Sequence, residues 1–211
     1  QYVGRFNSEF GTQALPVYET VLSFAGAEEL RYESPVLLYH EKHGSQFNTL
    51  KSYMNTYMNK STNFENEVYQ SSLVQAFGVG VAIQAHRVKR PDCWGTLYWQ
   101  FNDAWPGISW ASMDYYGRWK ALQYRAKQLY TDVALMWRGR DDVFATVVND
   151  KLFQADCLLT LIILTTDGKV LFNETTSFIV KSNEAHEVMK FSRTKIGELG
   201  NNNTKNLVFF G

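Results

Sequence analysis

The sequence predicts an α/β segment followed by an all-β domain, and three observations carry that prediction. The first 130 residues read as strand, long helical excursion, strand and helix, the order of an α/β layer with parallel strands. After Tyr130 helical periodicity stops and short β-prone runs separated by turn residues continue to Gly211, the pattern of a β-sandwich of immunoglobulin type. Only two strands of the parallel layer are present. Two parallel strands leave edges unpaired and apolar faces uncovered, so the chain is expected to begin partway through a larger barrel or sheet.

The elements follow in order. Tyr2 to Asn7 is a short strand, ending in Ser8-Glu9-Phe10-Gly11. A carboxylate at the end of a barrel strand is a position for a catalytic acid or nucleophile, although most glutamates in turns are simply solvated. Val17 to Phe24 reads as a short helix. Ser34-Pro35 starts another, with serine as cap and proline at the first helical position, and Gly44 is expected to stop it. Phe47, Leu50, Met54, Tyr57 and Met58 have the spacing of a third helix. His40 and His43 lie within one turn, but no third ligand of suitable spacing accompanies them, so a metal is not expected.

Asn63 to Arg90 has the strongest helical pattern, with Asn63 as cap. Val68, Ser72, Gln75, Val79 and Ala82 share one side. Tyr69, Leu73, Ala76, Phe77, Val81 and Ile83 widen the apolar face. Gly78 and Gly80 each weaken a helix by about 1 kcal/mol relative to alanine, which points to close packing onto a sheet. The basic run His86 to Arg90 suits a helix carboxyl end, and Pro91 stops the helix.

Cys93 to Tyr130 holds five of the six tryptophans. Gly95 to Phe101 suits a buried strand, Asn102 to Gly117 a polar, aromatic-rich loop, and Trp119, Leu122, Ala126, Leu129 and Tyr130 one face of a helix. Loops leaving the carboxyl ends of parallel strands carry the chemistry of barrel enzymes. Aromatic rings clustered there can form a wall for a sugar ring, although the ordinary role of a single tryptophan is packing. In the carboxyl-terminal part, strands are expected at Ala134–Trp137, Val143–Asn149, Cys157–Thr165, Val170–Asn173, Ser177–Lys181, Glu187–Phe191 and Leu207–Phe210. Turns are expected at Arg138–Asp142, Thr166–Lys169 and Gly200–Asn203, with Asp167-Gly168 a hairpin signal.

Composition narrows the function. Hydrophobic content of 45% permits a packed core. A formal net charge of zero argues against nucleic acid or an anionic membrane surface as partner. No apolar run approaches a membrane span. Cys93 and Cys157 are expected to be unlinked and buried. Asn59, Asn173 and Asn202 are glycosylation sequons only in a secretory setting.

Two motifs together resemble one family. Asn7-Ser8-Glu9-Phe10-Gly11-Thr12-Gln13-Ala14-Leu15-Pro16 looks like the nucleophile segment of the β-mannosidases of glycoside hydrolase family 2. Gly95 to Pro106, Ser109-Trp110-Ala111-Ser112 and Asp114 to Leu122 look like the last barrel strand, loop and helix of those enzymes. The detailed resemblance covers residues 5–130. It implies that residues 1–130 are strands seven and eight, with their helices, of a (β/α)8 TIM barrel, and that residues 131–211 are a truncated immunoglobulin-like β-sandwich. It implies a retaining exo-β-mannosidase as the parent protein, with Glu9 as nucleophile and Trp99 lining the sugar subsite. Asn102, Asp103 and Trp105 then lie near the pocket, chiefly as loop supports. No cofactor and no metal are implied. The partners implied are a β-mannoside or another β-linked glycan and the preceding part of the same polypeptide, in a periplasmic, secreted or lysosomal setting.

A retaining mechanism needs two carboxyl groups about 5–5.5 Å apart. The family's acid/base, a glutamate of an Asn-Glu motif after strand four, has no counterpart here, because Asn66-Glu67 lies within a helix. The chain alone is therefore expected to be inactive. Exo-β-glucosaminidases and β-galactosidases share the architecture and remain alternatives, as does a non-catalytic carbohydrate-binding module.

Overall fold

A computed structural model of the protein describes residues 3–45, 47–139 and 141–200 and the backbone of Leu207–Phe210. It divides into two compact units. One comprises Phe6–Ile83 and Gly95–Tyr130; the other joins the residues up to Arg5, Gln84–Trp94 and the chain from Thr131 onward.

The first unit is built on two short parallel strands, β1 (Phe6–Asn7) and β2 (Gly95–Thr96), paired Phe6 with Gly95 and Asn7 with Thr96. Both are shorter than the sequence predicts. Beyond Thr96 the backbone leaves regular pairing, and Leu97, Trp99 and Phe101 are exposed rather than buried. Tyr2, at the expected start of the first strand, lies outside the described residues.

Between the strands come α1 (Tyr18–Leu22), a 3-10 turn (Ala27–Glu29), α2 (Pro35–His40), α3 (Asn48–Tyr57) and α4 (Phe64–Arg87). Ser34 Oγ accepts from Leu37 N at 3.2 Å, and Asn63 Oδ1 accepts from Asn66 N at 2.8 Å. Both caps therefore work as their residue types predict. α2 ends at His40, four residues before Gly44, whose φ of +78° turns the chain away. Leu15, Val21, Leu37, Phe47, Leu50, Met54 and Val68 form the core that these helices share. Tyr69, Phe77 and Val81 of α4, expected on its apolar face, are exposed. Gly80 packs against Arg125 and Leu129 of α5 (Ala121–Leu129), not against a sheet, whereas a β-carbon at Gly78 would meet only Thr12 Cγ2, at 3.9 Å.

Among the described residues the second unit is β-structured apart from the last turn of α4 and one short helix. β3 (Val133–Arg138), β4 (Val143–Asn149) and β7 (Glu184–Phe191) form one antiparallel sheet in the order β3-β4-β7. β5 (Ala155–Thr165), β6 (Val170–Val180) and β8 (Leu207–Phe210) form another in the order β6-β5-β8. Leu159, Leu161 and Ile163, spaced by two on β5, meet Ala145 and Val147 of β4, Val180 of β6 and Phe191 of β7 in one core. The two runs expected at Val170–Asn173 and Ser177–Lys181 are one continuous strand, because β5 pairs along its whole length. Gly168, at φ +90°, makes the expected β5–β6 turn. α6 (Arg193–Leu199), capped by Ser192 Oγ, was not expected. Arg140 and Asn201–Asn203, in two of the expected turns, lie outside the described residues, as does the sequon at Asn202.

Two polar clusters stabilise this unit. Arg87 and Arg90 converge on Asp150, each pairing at 2.8 Å, and Arg87 also donates to Thr131 O. Asn149 Nδ2, fully buried, donates to the carbonyls of Phe153, Val180 and Lys181, so one side chain serves three backbone oxygens. Cys93 is buried and Cys157 half-buried, and neither takes part in a disulfide among the described residues. No helix among the described residues is long and apolar enough to cross a membrane.

Candidate active site

The site is defined by the shared direction of β1 and β2. In a parallel pair both carboxyl ends lie at the same edge, so the segments that follow emerge side by side. Leu97 N donates to Asn7 O at 2.9 Å, and Trp99 N donates to Phe10 O at 2.7 Å. The second bond joins the residue after Glu9 to Trp99 itself. Glu9 and Trp99 are both exposed at this edge, Trp99 to 49%. Gly11 then crosses directly over the Trp99 carbonyl, and any β-carbon there would overlap that oxygen. Glycine is required at this crossing because two backbones touch.

The loop after Trp99 is held from below by buried amides. Gln75 Nε2, on α4, donates to Thr12 O at 2.9 Å and to Trp110 O at 3.0 Å, tying the Glu9 segment to the tryptophan loop. Gln13 Nε2 donates to Ile108 O at 3.0 Å and Glu41 Oε1 at 2.9 Å. The Glu41 carboxylate also accepts from the backbone of His43 and Gly44. Ala14 N donates to Ser109 O at 3.0 Å. These bonds make the segment from Phe10 to Leu15 part of the scaffold rather than a free loop.

The other candidate residues separate by environment. Asn102 is exposed, with its carbonyl accepting from Gln100 Nε2 at 3.0 Å. Asp103 turns inward, 8% exposed, where it accepts from Gln100 Nε2 at 3.3 Å and from the Ser109 side chain. Burial pushes its pKa up, against the pull of the Ser109 bond and of Lys120. Trp105 stacks on His40 with centroids 4.8 Å apart, and His40 stacks in turn on Phe24 at 3.7 Å. His40 Nδ1 donates to Pro106 O at 2.7 Å, and Lys42 Nζ lies 3.9 Å from the Tyr39 ring centre and 5.1 Å from that of Trp105. The ring column holds the far end of the tryptophan loop on α2.

Lys120, missed in the sequence, is the least expected member. It is 2% exposed, with Nζ 3.4 Å from Ala14 O and 3.5 Å from Ser109 O. Asp114, also buried, accepts from Thr20 Oγ1 at 2.5 Å and from the backbone of Tyr116 and Arg118. Helical spacing assigned Trp119 and Tyr130 to the buried face of α5, yet both are more than a third exposed. The one signal in the sequence is that Lys120 stands between Trp119 and the apolar start of the helix. Among the described residues no cluster of three or more His, Cys, Asp or Glu side chains could hold a metal.

Comparison with known proteins agrees with the motifs. No family model matches the chain. Over 136 residues it is 35% identical to the β-mannosidases B of Aspergillus niger and Aspergillus terreus, which covers 63% of this chain and 16% of each of theirs. The crystal structure of β-D-mannosidase from Dictyoglomus thermophilum superposes with a TM-score of 0.84 at 27% identity, covering 89% of this chain and 23% of that one. An exo-chitosanase from Amycolatopsis orientalis shares the fold with a TM-score of 0.72 at 21% identity. The chain thus spans about a sixth of the length of its curated relatives; over that span it is similar to β-mannosidases, and its Glu9 and tryptophan segments resemble the motifs of glycoside hydrolase family 2.

Proposed function

We propose that this chain supplies the nucleophile and one aromatic wall of a retaining exo-β-mannosidase. Residues 1–130 would be the last two β/α units of its (β/α)8 barrel, and residues 131–211 the immunoglobulin-like sandwich that follows. The observation that carries the reading is the Trp99 N to Phe10 O bond, 2.7 Å long, which fixes Glu9 and Trp99 together at the carboxyl edge of two parallel strands.

In this reading the Glu9 carboxylate attacks the anomeric carbon of a terminal β-mannoside. The bond to the glycosidic oxygen breaks as a second carboxyl group, supplied from outside this chain, gives that oxygen its proton. The resulting glycosyl ester on Glu9 is then cleaved by water, which the same second group deprotonates. Trp99 offers an apolar face to the sugar's C–H groups and limits access of bulk water. Gln75, Gln13 and Gly11 keep the nucleophile segment at a fixed distance from that wall.

The test is hydrolysis of a panel of aryl β-glycosides by the full-length protein and its Glu9→Ala variant. The β-mannoside should be cleaved selectively. Turnover should fall by about 10⁴-fold or more in the variant, with azide restoring it as the α-mannosyl azide. A variant that keeps its activity removes Glu9 from the role. Preference for another β-glycoside keeps the mechanism and changes the sugar. Inactivity of the folded wild-type protein on every glycoside favours a non-catalytic carbohydrate-binding role.

A further inference from the structure

A lysine buried to this degree is costly, because taking an ammonium out of water is repaid only by well-placed partners. An apolar side chain of similar volume would fill the space at less cost. Lys120 is buried within the chain's own fold, and its partners have one feature in common. Ala14 O belongs to the segment that carries Glu9, Ser109 O to the tryptophan loop, and Asp103 to the stretch beginning at Trp99. Asp103 in turn accepts from the side chain of Gln100, the residue next to Trp99. The ammonium thus sits where the two halves of the proposed active site meet from below.

We propose that Lys120 is a positioning residue for the glycosidase reaction, locking the Glu9 segment to the tryptophan loop through Ala14 O, Ser109 O and Asp103. The proposal rests on the reading given above. Lys120 touches no substrate; it acts through the register of two backbones. The charged form does this best, since an ammonium bonds carbonyls more strongly than an amine and offsets the Asp103 carboxylate.

Burial lowers the Lys120 pKa to about 7, while Asp103 and Asp114 pull it the other way. The cleft that Lys120 borders also contains Glu19 and Tyr18 of α1, Glu65 and Tyr69 of α4, and Tyr124 of α5. Arg118 lies beside Asp114, donating to Thr20 Oγ1. Because the folded value lies below the usual 10.5, the unfolded chain holds the extra proton between the two. Stability therefore rises with pH across that window, while the locking ammonium is lost. Activity and stability are expected to move in opposite directions above neutral pH.

The experiment measures pH profiles of kcat and KM on the aryl β-mannoside for the full-length protein and for Lys120→Met and Lys120→Arg, with thermal midpoints for each. Lys120→Met is expected to lower kcat about 100-fold below pH 7 with KM nearly unchanged, the effect of a displacement near 1 Å. The alkaline limb of wild type should be absent from Lys120→Met and moved up by a pH unit or more in Lys120→Arg. A kcat within twofold of wild type in folded Lys120→Met, or an alkaline limb that stays in place in both variants, overturns the proposal. If Lys120→Met does not fold, Lys120→Met/Asp103→Asn removes the charge imbalance. Full activity in that double variant would also overturn it, and a folded but slow double variant supports it. An active wild type with an indifferent Lys120 sinks this inference alone, whereas a wild type inactive on every glycoside sinks it together with the glycosidase reading.

Discussion

Replacing Gly11 by alanine tests whether the register of two backbones sets the rate. A β-carbon at Gly11 would overlap the Trp99 carbonyl oxygen, lie 3.2 Å from its carbonyl carbon and 3.3 Å from Cδ1 of Trp110. The oxygen itself lies deep inside the 3.4 Å at which ordinary contact begins. The Glu9 segment and the Trp99 strand end must separate by roughly 1 Å or more to admit the methyl. Neither side is a flexible side-chain tip. Phe10 O is bonded to Trp99 N, and Thr12 O to Gln75, within two residues of Gly11. Overpacking of this kind costs about 1–3 kcal/mol of stability, and a 1 Å displacement of a nucleophile costs about 100-fold in rate. The assay is kcat on an aryl β-mannoside with the full-length protein, alongside its thermal midpoint. Gly78→Ala is the control: its β-carbon meets only Thr12 Cγ2, at 3.9 Å, so it should stabilise α4 by up to about 1 kcal/mol and leave kcat unchanged. Wild-type kcat and midpoint in Gly11→Ala would refute the claim that this crossing positions Glu9.

Two further predictions concern the scaffold. Asp150→Ala removes the shared partner of Arg87 and Arg90; because the Arg87 side chain is only 4% exposed, the loss should be about 3 kcal/mol, read as a lower urea midpoint with unchanged slope. A change under about 1 kcal/mol would show that the partners remaining to Arg87, the Thr131 carbonyl among them, satisfy it without Asp150. Ser34→Ala deletes the cap of α2, where Ser34 is fully buried; a loss of about 1 kcal/mol in the same titration is expected, and an unchanged midpoint would mean that Pro35 and packing suffice to start the helix.

What was legible in the sequence was local. Capping by Ser34 and Asn63, the turn at Gly168, the spacing of α3 and α5, and the β-prone run of β5 follow from backbone preference or from a short period, and neither depends on distant chain. The paired motifs around Glu9 and Trp99 were visible for the same reason. Exposure was less legible. Tyr69, Phe77, Trp119 and Tyr130 are apolar at helical spacing, yet they are exposed, because period gives a face and not what lies against it.

What only the tertiary structure decided is how the two motifs meet. Parallel pairing of β1 with β2 puts Glu9 and Trp99 at one edge, although 90 residues of chain separate them. Gly11 is an ordinary loop glycine until the Trp99 carbonyl is beneath it. Lys120 looks like an ordinary polar residue ahead of a helix, and Gln75 like one polar position on the helix side that carries Val68 and Val79. Both are buried because each satisfies backbone carbonyls from two other segments, and a carbonyl's need for a donor is set by where the chain has taken it, not by its neighbours in sequence. The sequence by itself determined most of the helices and strands and the two chemical motifs, though not α6 or the shortness of β1 and β2; the crossing of backbones, which no local pattern encodes, decided which side chains hold those motifs in place.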